Sequence, residues 1–183
     1  MKPTINMNVK SADIDGDSIL INKYQKGTTN DIVVAKVDWP TLDGDYVIKR
    51  LVGMPGDKIE IKDHETHFSL YVNDEILYSK EKTGENSNFL KTGSIGYYAK
   101  YISFLENPNF SRNVEIIGNS TYIRLHENDY FLMGDNWGQT LDCIAEGPIK
   151  KSDIVGRVDL IVDVTNHNPF TYFNFFMKNI FFN

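Results

Sequence analysis

The chain is short of sulfur and of positive charge, and each shortage closes a route. Its single cysteine, Cys143, excludes an internal disulfide framework and leaves too few thiolates for a structural zinc site. Nineteen basic residues face 25 acidic ones, for a net charge of −6. Proteins that track nucleic-acid phosphates carry a basic face, so no nucleic-acid partner is expected. No run of about 18 apolar residues marks a transmembrane helix and no signal peptide opens the chain, so it reads as a soluble domain as it stands. The four histidines are His64, His67, His126 and His167; only the first two are near each other, and all read as surface residues rather than metal ligands. No metal and no organic cofactor is expected. What remains is 183 residues with 41% apolar content, enough for one domain, or one domain with a subdomain insert.

The dominant period is two. Ser18–Asn22, Asp31–Val37, Tyr46–Val52 and Lys58–Lys62 are short β-branched runs bounded by Gly, Asp, Asn or Pro. Leu70–Val72, Val114–Ile117, Tyr122–Leu125, Tyr130–Met133 and Ile154–Val162 continue the pattern. Asn73-Asp74, Gly56-Asp57 and Gly134-Asp135-Asn136 supply turn chemistry. The expected class is mainly β, with core strands in residues 1–79 and 113–165. Residues 80–112 read as an inserted cap, with 96–105 either a short helix or a peripheral hairpin. Residues 166–183 crowd aromatic side chains. They read as a terminal segment packed on the core, a membrane-surface segment, or the stump of an anchor.

Chemistry concentrates in two stretches. In Tyr46–Asp57, Lys49 shares a strand face with Val47 and Leu51 and is flanked by Ile48. A lysine there either snorkels to an edge or sits in a dry pocket, where desolvation lowers its pKa and frees a neutral amine to act as a base. Arg50 points the other way and is expected to pair with a carboxylate. In Tyr130–Asp142, a strand enters a tight turn, after which come a hydroxyl, Thr140, and a carboxylate, Asp142.

Taken in order, Met1-Lys-Pro-Thr4, Gly16–Lys23, Asn30–Val34, Lys49–Asp57, Gly134–Asp142 and Ser152–Val158 resemble the boxes of the type I signal peptidases. These are membrane-anchored serine endopeptidases with a Ser/Lys dyad. The resemblance covers about residues 1 to 165 and implies a signal-peptidase-like β core of antiparallel sheets. It assigns Lys49 as general base, Thr140 as the hydroxyl that orients the lysine, and Asp142 as the acid that braces the loop. Arg50, Gly134, Asp135 and Asn136 become structural, while Met1, Pro3, Thr4 and Ile5 line the substrate stretch. The implied partners are an extended peptide, the signal peptide of a secreted or pilin precursor, and the membrane surface. The implied location is the extracytoplasmic face of the cell membrane.

The sequence also departs from the family. The nucleophilic serine normally precedes the Met-x-Pro-Thr stretch immediately, which places its position before Met1. Ser11 has a compatible spacing to Lys49, but Ala12-Asp-Ile-Asp15 does not resemble the family's residues downstream of the nucleophile. The stretch from Ile5 to Asp15 is longer than the family's few residues, which implies an altered substrate cleft. Trp137 stands where the family has an arginine. Cys143-Ile144 replaces a Ser-Arg pair whose arginine normally meets the aspartate, so Asp142 must find another donor or stay solvated. Cys143 reads as a small, partly buried hydrophobe; as a nucleophile it would need a base within about 3 Å. Two functions fit this pattern: an endopeptidase shown here without its anchor and nucleophile, or a catalytically inactive member serving as chaperone or scaffold in Gram-positive pilus assembly. An unrelated β-rich binding module would leave the ordering of the boxes unexplained.

Overall fold

The computed structural model describes residues 18–162 apart from 41, 43, 83–87 and 138–139. In chain order the elements are β1 (Ser18–Asn22), β2 (Ile32–Lys36), β3 (Tyr46–Gly53), β4 (Lys58–Asp63), β5 (His67–Val72) and β6 (Glu75–Glu81). Helix α1 (Asn88–Glu106) and a 3-10 turn (Pro108–Asn113) come next. Then come β7 (Val114–Ile117), β8 (Ser120–Arg124), β9 (Asp129–Met133), the one-turn α2 (Cys143–Glu146), β10 (Ile149–Lys150) and β11 (Ile154–Val162). The strands build two antiparallel sheets, β1-β11-β2-β3-β9-β10 and β6-β5-β4-β8-β7, so the mainly β class expected from the period of two is the one observed.

Two strands escaped the periodic reading. β6 is at the edge of its sheet and has no fully buried residue, so it offers little apolar alternation. Its start is set by Asn73 and Asp74, whose φ values of 52° and 70° make the two-residue left-handed turn that suits a hairpin. β10 is only two residues long.

The sheets are joined through Met54-Pro55-Gly56-Asp57. Pro55 presets the first central residue and Gly56 takes φ +93°, a value that costs any side chain. The turn closes where Asp57 N–H donates to the Met54 carbonyl (2.9 Å) and Met54 N–H donates to the Asp57 carboxylate (2.8 Å). One hydrophobic core spans both sheets, with Leu51, Ile59, Leu70, Ile123, Phe131 and Leu132 fully buried. Each such side chain stabilises the fold by about 1.5–3 kcal/mol relative to exposure.

Of the two alternatives for residues 96–105, the chain adopts the helix. Tyr97, Tyr101 and Phe104, spaced to share one helical face, are buried in that common core. Phe104 stacks on Phe110 of the 3-10 turn at 4.5 Å and meets Phe131 edge-on at 6.0 Å. Among the described residues no helix is long and apolar enough to cross a membrane. The aromatic stretch 166–183 lies outside the described residues.

Candidate active site

The site grows from the register between two core strands. Arg50 pairs with Met133 and Leu51 with Leu132, so the next step along the ladder brings Gly134, the first residue of the loop after β9, beside Lys49. The loop then returns Thr140 to the lysine. Lys49 Nζ donates to Thr140 Oγ1 at 3.0 Å across 91 residues of sequence. Lys49 is half-buried on β3, and the loss of water around it pulls its pKa below the ordinary lysine value. The carboxylates of Asp142 and Asp135 oppose that shift without cancelling it. Of the two positions open to Lys49, the structure gives it the one packed under the loop.

Gly134 makes that packing possible. A Cβ at this position would stand 2.0 Å from Thr140 Oγ1 and 2.6 Å from its Cβ, so any side chain would displace the hydroxyl that holds the lysine.

The loop is pinned at both ends. At its start, the Arg50 guanidinium grips Asp135 in a two-pronged contact, Nε to Oδ1 at 2.9 Å and Nη2 to Oδ2 at 2.8 Å. Arg50 Nη1 also donates to the Asn30 carbonyl at 2.7 Å, which ties β3 and the loop to the turn before β2. Asn136 comes after Asp135, half-buried, in the same turn. At the far end, Asp142 caps α2, accepting from Ile144 N–H at 3.1 Å, and accepts from Gly134 N–H at 2.9 Å.

Asp142 is 1% exposed, and the donor the sequence left unassigned is the Tyr97 hydroxyl of α1, at 2.9 Å. Burial raises the Asp142 pKa above the ordinary carboxylate value, and these three donors and Lys49 offset only part of that rise. Tyr97 also stacks on Trp137 with ring centroids 4.8 Å apart, and Lys100 Nζ, one helical turn on, donates to the Thr140 carbonyl at 3.3 Å. Reading the sequence missed Tyr97 and Lys100 as part of the site. The spacing of Tyr97, Tyr101 and Phe104 was the available signal for a buried helical face, but nothing in it says which loop that face would meet.

Cys143 is fully buried, and its sulfur accepts the Leu132 N–H at 3.2 Å. Burial drives the thiol upward, leaving it protonated and a poor nucleophile. The His64 and His67 rings stack at 4.5 Å, and among the described residues no group of three or more histidine, cysteine or acidic side chains is placed to hold a metal. Met1, Pro3, Thr4, Ile5 and Ser11 lie outside the described residues, as does His167.

Fold and site describe an antiparallel β protein that keeps one lysine amine under a braced loop at the centre of its larger sheet. The family model for signal peptidase, peptidase S26, matches residues 1–163, and the chain belongs to that family. It is similar to signal peptidase I V of Bacillus subtilis (strain 168), 30% identical over 148 residues that cover 79% of this chain and 74% of that protein. Against signal peptidase I P of Bacillus subtilis subsp. natto it is 29% identical over 175 residues, 88% of this chain and 71% of the relative. A solved signal peptidase I from Enterococcus faecalis V583 matches at 22% identity and a TM-score of 0.42, over 73% of this chain and 97% of that one.

Proposed function

We propose that this is the extracytoplasmic domain of a membrane-anchored serine endopeptidase that removes signal peptides from secreted or pilus precursor proteins. The observation that carries the reading is the Lys49 amine, partly stripped of water and held at 3.0 Å by the Thr140 hydroxyl. A lysine in that state is available as a general base without a histidine. The nucleophile in this reading is a serine hydroxyl within reach of the Lys49 amine. Its oxygen attacks the scissile carbonyl as Lys49 takes the proton. The resulting ammonium then passes that proton to the departing amine, and water hydrolyses the acyl-enzyme by the same route in reverse. Thr140 orients the amine and Asp142 fixes the loop that carries Thr140. The substrate lies extended along a strand edge, its small side chains in shallow pockets near Met1–Ile5.

The test is Lys49→Ala in the full-length protein, assayed on a secreted precursor with folding monitored by circular dichroism. Cleavage should fall by about 10²–10⁴-fold with the fold intact. Normal processing by that variant would sink the dyad. A full-length protein that never cleaves, but whose Lys49→Ala form still supports pilus assembly, would make this a scaffold instead.

A further inference from the structure

We infer that Tyr97 is a positioning residue of this site, a neutral donor on α1 that holds the buried Asp142 carboxylate and through it governs Lys49. The inference rests on the reading of Lys49 as the site's amine. Three observations carry it. First, Tyr97 is 1% exposed and its hydroxyl donates to Asp142 Oδ2, the same oxygen that takes the Gly134 N–H. Second, among the described residues the other donors to Asp142 are backbone N–H groups, so its charge is met there by dipoles rather than by a hydrogen-bonded cation. Third, α1 touches the loop twice more, through the Tyr97 stack on Trp137 and the Lys100 contact with the Thr140 carbonyl.

The consequence is electrostatic. An Asp142 held ionised by neutral donors keeps its field directed at Lys49, whose ammonium form it supports. Losing the Tyr97 hydroxyl leaves the Asp142 charge less damped and the loop over Lys49 less firmly closed to water, and both changes favour the ammonium. The other titratable groups facing the pair do not obscure this. Burial drives Tyr78 of β6, Tyr97 itself and Cys143 upward, so they stay neutral. Arg50 and Asp135 satisfy each other. Lys100 is the same in both proteins compared.

The experiment tracks the Lys49 amine directly, by the pH dependence of its Cε resonance in 13C-lysine-labelled protein, and needs no turnover. Tyr97→Phe keeps the ring on Trp137 and removes only the hydroxyl. The Lys49 midpoint should rise by about one pH unit in Tyr97→Phe. In an Asp142→Asn background the same substitution should leave it unmoved. A midpoint that stays or falls in the native background overturns the inference, and so does an equal rise with Asp142→Asn. An unaltered chain whose Lys49 titrates like an ordinary lysine, near 10.4, counts against the base instead and leaves the Tyr97 comparison legible. Amide hydrogen exchange at Gly134 and Ile144 is a second readout, accessible even if Tyr97→Phe is less stable. Lys100→Met, on the exposed side of α1, should speed both amides by about tenfold, and unchanged rates would remove α1 as the loop's brace.

Discussion

Lys49 is ordinary in composition and unusual in placement. What separates it from the surface lysines is burial beneath a loop and the hydroxyl that holds it there, and that hydroxyl has room only because residue 134 has no side chain. Gly134→Ala should therefore act as a lesion of Thr140. Displacing the hydroxyl by about 1 Å is expected to lower cleavage by about 10²-fold, since proton transfer is that sensitive to geometry. Pairing it with Thr140→Gly should restore the melting temperature, because the clash is gone, but leave cleavage low. Recovery of both together would mean that the hydroxyl does not orient the amine. At this scale the sequence was informative. Lys49, Thr140 and Asp142 all fall in ordered boxes, and an apolar strand around a lysine offered a dry pocket as one of two placements. Tyr97 was not legible, because its partner lies 45 residues away and a tyrosine on a helix looks the same whether it meets a core or a carboxylate.

Elements are tied together by a second buried carboxylate, away from the lysine. Asp129 opens β9 with its side chain fully shielded, and it receives Asn113 Nδ2 at 2.9 Å, Arg112 Nη2 at 2.7 Å and Lys150 Nζ at 3.3 Å. The 3-10 turn after α1, β9 and β10 therefore converge on one side chain. Burial raises its pKa, but Asn113, the His126 N–H and Arg112 together outweigh that and draw it below the ordinary carboxylate value. A depressed folded-state pKa contributes stability at pH values above the unfolded one, near 3.9, and loses it as pH falls through the folded value. Asp129→Asn should cost about 1–3 kcal/mol in urea unfolding at pH 7. The gap from the native chain should close toward pH 3, and a gap that does not change with pH would mean the charge is not what holds these elements. Period two found nine of the strands. It passed over β6, whose flanks are mostly exposed, and over β10, which is too short to show a period. The helix was half seen, since the residues that bury its face also suit a hairpin.

The whole molecule divides its labour between sheets. The larger sheet carries Lys49 on β3 and the loop after β9, the smaller sheet shares its core, and α1 runs from that core to the loop. The family could be read from the order of the boxes, because order along a chain survives when individual residues change. The contact of Tyr97 with Asp142 could not, because it joins neighbours in space that lie 45 residues apart in sequence. Cys143 shows what such packing does for the molecule as a material. Its thiol is the only one in the chain, has no exposed surface, and lies against the Leu132 amide. Folded protein left in air should yield no covalent dimer, because a thiol without access to oxidant or partner does not oxidise. Disulfide-linked dimers would then form only from molecules that have come apart. Their accumulation on a non-reducing gel under mild heating, measured alongside the loss of tertiary signal, would serve as a clock for global unfolding; dimers that appear first would show that the larger sheet opens locally.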